Sequence, residues 1–277
     1  MGFLDNVWDT ISSFPLSPFW PLAILFSVIV FIGYWLASRL EEDECKDLSD
    51  SANKLLGATA TGLFVLIGFC ISMLWSILND ELSAVDDHVI VASELAWTSQ
   101  QLGATANEQI NEALVIYLNT VASDDRKAYE DEAFTKGNTT PYPSDSALQN
   151  LQQAVDDPDN YTKDQATIQQ TLSQQVTKLA GTRESIRAIA NRVLPYQTIV
   201  VLIVAASVVA LFAGASMASH RRPYLVIGWV LSSTLALTLV FWLNNPFTGP
   251  IDVDFTSIKG LAERLQSNTE FTNSTNN

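Results

Sequence analysis

Four uncharged apolar runs constrain this chain more than any other feature: Pro18 to Ala37, Gly57 to Leu78, Pro195 to Ser216 and Pro223 to Leu243. Each is long enough to cross a bilayer as one helix, because about 20 residues rising 1.5 Å apiece span the roughly 30 Å of hydrocarbon. A long polar stretch separates the second run from the third. The pattern predicts an all-α chain: four transmembrane helices with a helical soluble domain inserted between the second and third. Residues 1–17 read as an interfacial amphipathic helix, with Phe3, Leu4, Val7, Trp8 and Ile11 on one face and Asp5, Asn6 and Asp9 opposite. Residues 18–78 form a transmembrane hairpin, 79–194 the soluble domain, and 195–243 a second hairpin. The C-terminal segment, 244–277, reads as a turn, a short helix to about Gln266 and a disordered end.

Charge sets the expected orientation. Only 16% of residues are charged, against 48% hydrophobic, and the net charge is −15. Arg39, Lys46 and Lys54 lie between the first two runs, Arg221 and Arg222 lie between the last two, and residues 1–17 contain no Lys or Arg. By the positive-inside rule both hairpin loops face the cytoplasm of a plasma-membrane protein, so 79–194 is extracytoplasmic. The missing basic n-region also argues against a removable signal peptide. Residues 79–194 carry 18 acidic and 8 basic residues, a field that repels nucleic acid and gathers inorganic cations. Neither of the two cysteines, Cys45 and Cys70, falls in that segment, so it must hold together by packing.

The second run is the one the rest is organised around. At 100° per residue, Gly57, Ala58, Thr61, Val65, Gly68, Ser72 and Ser76 share a small, weakly polar face, while Leu63, Leu66, Ile67 and Leu74 share an opposite face suited to lipid. No Pro or Gly then follows until Gly103. A helix continuing past Leu78 carries the small face through Ser83 into Asp80, Asp87 and Glu94, three carboxylates spaced by seven. One reading is that small residues let helices pack closely. The other is a water-filled path lined by this face in a homo-oligomer, with the acids forming its vestibule.

In the soluble segment, Leu82, Val85, Val89, Ala92 and Ala96 extend the second helix as an amphipathic one, and Ile110, Leu114, Tyr117 and Val121 mark another. Gly137 to Ser146 reads as a loop, and Thr162 with Gln165 as a capping box. Ile168, Leu172, Val176, Leu179, Ile186, Ala190 and Val193 predict one long helix entering the third run with Pro195 in its first turn. The helices projecting from runs two and three should then pair antiparallel. The run Glu41 to Asp47 reads as a solvated loop. Ala206, Ala210, Gly214 and Ala218 form a close-packing face, and Ser232, Ser233, Thr234 and Thr238 can bond back to their own helix.

Catalytic chemistry is not visible. His88 and His220 are the only histidines, and His88 with Asp87 or Glu94 lacks the further ligands of a metal site. No phosphate loop or redox CxxC occurs. The expectation is a non-enzyme with no catalytic residues, no metal and no cofactor, whose partners are the lipid bilayer, further copies of itself and inorganic ions. The alternative is a non-conducting membrane scaffold or sensor with an extracytoplasmic helical domain.

Gly68-Phe69 and Trp75 in the second run, Glu94-Leu95, Tyr117, Arg183 and Arg187 ahead of Leu194-Pro195, and Asn245-Pro246-Phe247-Thr248-Gly249 after the last run resemble, in that order, the bestrophin-like bacterial membrane proteins. The resemblance covers about residues 55 to 265. It implies a homopentameric, anion-permeable pore lined by the second span, and a cytoplasmic soluble domain. Both implications oppose the residue-level reading, which favours cations and an outer domain.

Overall fold

The computed structural model describes residues 18–128, 142–190, 194–220, 223–244 and 253–275. The expected interfacial helix at 1–17 and the turn after Asn244 lie outside them. Among the described residues every regular element is helical. In chain order these are α1 (Phe19–Ala37), α2 (Glu42–Ser99), α3 (Ala104–Thr120) with a π-helical turn (Val121–Asp125), α4 (Pro143–Asp156), 3₁₀ turns at Pro158–Asn160 and Lys163–Gln165, α5 (Ala166–Ala190), α6 (Tyr196–His220), α7 (Pro223–Leu243) and α8 (Thr256–Thr275). The chain divides into two compact units, one of Met1–Ser76 with Val193–Ile251, the other of Ile77–Arg192 with Asp252–Asn277. α1, α2, α6 and α7 are long and apolar enough to cross a membrane.

α2 is a single helix of 58 residues, about 87 Å at 1.5 Å per residue. It begins at Glu42, which corrects the loop expected at Glu41–Asp47. Glu42, Asp43 and Glu44 occupy its first turn, where unsatisfied N–H groups and the helix dipole favour negative charge. A dense acidic run is therefore a helix start here.

In the first unit α1 packs against α6 and α7. The α1–α6 approach depends on two glycines. A Cβ on Gly214 would fall 2.9 Å from the Val30 carbonyl carbon and 3.0 Å from the Tyr34 nitrogen, with the Val30 oxygen nearer still. One on Gly33 would meet the Leu211 oxygen and sit 3.2 Å from the Ala215 nitrogen. Ala206 and Ala210 are fully buried on the same helix. Ala37, Ala52 and Ala215 close a small core where α1, α2 and α6 meet, and Ser49 Oγ donates to the Ser216 carbonyl at 3.0 Å. Phe26 is fully buried with its ring edge-on to Trp229.

The second unit is built on the expected antiparallel pair. Glu94 lies 3.6 Å from Lys178, and Gln175 Nε2 donates to Thr98 Oγ1 at 3.0 Å, so α2 and α5 run in opposite directions. α3 packs against α4 and α8, and α4 against α5. The predicted loop at 137–146 ends early: Pro143 opens α4, a first-turn position that needs no N–H, and Asp145 accepts the Tyr142 N–H at 2.9 Å. Ala147, Leu151 and Val155, buried and four apart, are the signal for the rest of α4, which the sequence reading leaves unassigned. Gln165 Oε1 accepts the Thr162 N–H at 3.0 Å, as the capping box requires.

Two boundaries differ from the sequence reading. Leu194 and Pro195 are not helical, and Pro195 stands just before α6, its carbonyl accepting the Thr198 N–H at 2.8 Å. The Leu194 N–H is taken by Asn244 Oδ1 at 2.6 Å. At the other end, Phe255, Ile258 and Ala262 are buried in the second unit, and α8 stays helical to Thr275, past Gln266.

Candidate functional site

Helical periodicity sorts α2 into two faces, and burial shows which is used within the chain. Leu63, Ile67 and Leu74 are buried, 1–2% exposed, which corrects the expectation that they face lipid; Leu66 stays exposed. Opposite them Gly57, Thr61, Val65, Gly68, Ser72 and Ser76 are all exposed. A Cβ placed on Gly57, Gly62 or Gly68 would meet nothing within 4 Å. Thr61 Oγ1 bonds back to the Gly57 carbonyl at 2.8 Å, so its polar atom is satisfied within the helix. Phe69, beside Gly68, is 71% exposed.

Farther along α2, Asp80, Asp87 and Glu94 are exposed. Glu94 is paired with Lys178, both half-exposed, which leaves the pair screened by water. Asp80 and Asp87 make no ion pair with any described residue.

The buried face of this half of α2 is broader than the apolar stripe suggested. Leu82 is exposed, while Glu81 and His88 join Val85, Ala92, Leu95 and Ala96 in the interior. Sequence reasoning missed both because charged and polar types hide at core positions; their spacing of seven from one another and from Leu74 and Leu95 was the available signal.

His88 is not a surface metal ligand. Its Nδ1 lies 2.9 Å from Thr182 Oγ1 and its Nε2 3.3 Å from the Tyr117 hydroxyl. Thr182 has one hydroxyl proton and gives it to the Leu179 carbonyl at 2.9 Å. It must therefore accept from His88, which fixes the proton on Nδ1 and leaves Nε2 to accept from Tyr117. Burial, assisted by the Arg183 charge, pulls the imidazole down to about 4, so it is neutral at pH 7. Burial likewise raises the Tyr117 phenol and keeps it a donor.

Arg183, 3% exposed, sits beside this chain of bonds. It bonds Asp145 and approaches Asp125 Oδ2 at 4.0 Å. The π-helical turn brings Asp125 into the interior, where it accepts the Ser144 N–H at 3.1 Å and the Ser144 hydroxyl at 2.5 Å. Burial raises the Asp125 carboxyl despite those bonds; for Arg183, burial is the largest influence and opposes the charge, but the Asp145 hydrogen bond together with the charges of Tyr117, Asp145 and Asp125 outweighs it. Arg187 stacks over the Tyr142 ring at 4.5 Å and lies 3.8 Å from Glu184. Both arginines are thus committed within the second unit and do not neutralise the exposed acids of α2.

Glu81 has no such arrangement. It is 1% exposed, both carboxylate oxygens lack a hydrogen-bond partner, and burial, with Asp80 adding to it, pushes its carboxyl up to about 8.

A family model described as a Bestrophin-like domain matches residues 24–258. Similar solved structures include a variant of a membrane protein, 14% identical with a TM-score of 0.69 over 90% of this chain and 97% of that one. They also include two variants of a bacterial bestrophin homologue from Klebsiella pneumoniae, each 14% identical over 92% of this chain and 98% of the other, with TM-scores of 0.66 and 0.68. No curated protein matches the sequence. At such identities the structures speak for the fold alone. The family match, running through all four apolar helices, carries the assignment: the chain belongs to the Bestrophin-like family of helical membrane proteins.

Proposed function

We propose that this protein is a subunit of a homo-oligomeric membrane pore, a pentamer by its resemblance to bestrophins, in which the small face of α2 lines a water-filled path for inorganic ions. The soluble domain, on this reading, is inserted between the second and third spans, and no residue has a catalytic or cofactor-binding role. The observation that carries the proposal is the bareness of that face: Gly57, Thr61, Val65, Gly68, Ser72 and Ser76 are exposed, and a Cβ on either glycine would meet nothing within 4 Å among the described residues. Small-residue packing inside the protomer would have filled it.

Repeated around a symmetry axis, Asp80, Asp87 and Glu94 become stacked rings of negative charge, which favour cations. Lys178 offsets part of the Glu94 charge, so Asp80 and Asp87 supply most of the field. Kinship with bestrophins favours anions instead. Reversal potential in a salt gradient, measured on purified protein in a planar bilayer with its mass determined in detergent, decides between them. A cation-side potential that Asp80→Asn, Asp87→Asn and Glu94→Gln together abolish supports the rings. A chloride-limit potential unmoved by the triple change refutes them. An intact oligomer that never conducts favours the scaffold reading.

By the positive-inside rule, the basic residues between the first two and between the last two apolar runs support an outer soluble domain. In a background lacking Cys45 and Cys70, a cysteine at the exposed Gln152 should react with an impermeant thiol reagent in intact cells, and one at Asp43 should not. The reverse pattern would establish the cytoplasmic placement that the resemblance implies.

A further inference from the structure

The first unit also contains a groove of about 450 Å³ between α1 and α7, within the size range of small-molecule sites. Ala23, Ser27 and Val30 line it from α1; Val226, Val230 and Thr234 line it from α7. No ionisable side chain lines it, so an ionised group there would be unpaired inside an apolar span. Trp229, Ser233, Thr234 and Thr238 of α7 each hold a buried side-chain polar atom with no hydrogen-bond partner among the described residues, and of the four only Thr234, itself fully buried, lines the groove. The usual outcome for a hydroxyl in an apolar helix is a bond to the carbonyl four residues back. Ser232 makes that bond to Gly228 at 2.8 Å, and Ser207 makes it to Ile203 at 2.7 Å. Thr234 lines the groove with that hydrogen-bonding capacity unused.

We propose that this groove binds a neutral membrane lipid with one slender apolar chain, whose hydroxyl or ester carbonyl oxygen hydrogen-bonds Thr234. The apolar walls take the chain, Thr234 can donate or accept, and the absence of ionisable lining groups selects against charged heads. This rests on the first unit lying in the membrane and not on conduction.

The test uses the full-length protein in detergent with two photoactivatable probes, a diazirine-bearing long-chain alcohol and the matching alkane, and maps crosslinks by mass spectrometry. The alcohol should label the α1 and α7 segments that line the groove. The near-isosteric Thr234→Val should weaken alcohol labelling roughly three- to tenfold, the worth of one hydrogen bond, and leave alkane labelling unchanged. Ala23→Phe, which fills the groove, should suppress both. Equal labelling by alcohol and alkane that Thr234→Val does not change would overturn the proposal, leaving a crevice for bulk acyl chains. Labelling confined to other segments would overturn it too.

Discussion

Two sets of glycines in the first unit carry the same sequence signature and have opposite fates. Gly33 and Gly214 lie where α1 and α6 meet, and any side chain at either would strike the opposing backbone. Gly57, Gly62 and Gly68 on α2 face open space. A glycine inside a helix costs about 0.5–1 kcal/mol relative to alanine, because it gives up more chain entropy on folding. On α1 and α6 the close approach of two helices offsets that cost. On α2 no contact among the described residues does. Small-residue spacing alone does not separate a sealed contact from an open one; the opposing atoms do.

The strongest way to break the comparison is to add one methyl group on each side of it. Gly214→Ala drives a Cβ into the Val30–Tyr34 backbone, which cannot swing aside as a flexible side chain would. Overpacking of this kind costs about 1–3 kcal/mol or more, and backbone contact puts it at the upper end. Thermal unfolding in detergent should show Gly214→Ala strongly destabilised and Gly33→Ala nearly as much. A loss for Gly214→Ala no larger than that for an exposed position would mean α1 and α6 can separate freely.

A second prediction concerns the filled face of α2. Glu81 has an ordinary value of 4.5 and stands at about 8 in the fold, so the folded state holds a proton the unfolded chain has lost, and stability falls as pH rises between those values. His88 is depressed from 6.5 to about 4, so its contribution is present above 6.5 and lost as pH falls toward 4. Between pH 4.5 and 6.5 the two slopes oppose and cancel. From 6.5 to 8 only Glu81 acts, and the loss should reach about 2 kcal/mol. Glu81→Gln should abolish that alkaline decline and raise the melting temperature at pH 8 by several degrees more than at pH 5. An equal shift at both pH values would mean that Glu81 does not titrate in this range.

Much of the fold was legible because a bilayer demands long apolar helices and a helix must repeat its apolar side chains every three to four residues. That logic found α1, the apolar part of α2, α6, α7 and the antiparallel pairing of α2 with α5. It failed where chemistry and position disagree. Glu42 to Asp47 reads as solvated by charge yet begins a helix; Leu63, Ile67 and Leu74 read as lipid-facing yet are core; His88, read only beside the exposed acids Asp87 and Glu94, and Glu81, given no reading, are buried. Periodicity tells which residues share a face but not what that face meets. The small face of α2 was legible as a stripe, and its openness became visible only when the rest of the chain was placed around it.

The smallest expected effect is the most informative. Gly57→Ala and Gly68→Ala add a methyl group into open space and remove a weak helix former, so protomer stability should hold or rise by up to about 1 kcal/mol each. In an oligomer whose α2 helices surround a path, the same methyl groups fall on the wall of that path. Single-channel conductance should then drop while thermal unfolding stays level or improves, a pairing that neither a folding defect nor an idle surface produces. If both conductance and oligomer mass match the wild type, the face neither lines a path nor touches a neighbouring subunit. If the mass falls and no current remains, the face is a subunit contact, and the path, should one exist, runs along another surface of the protein.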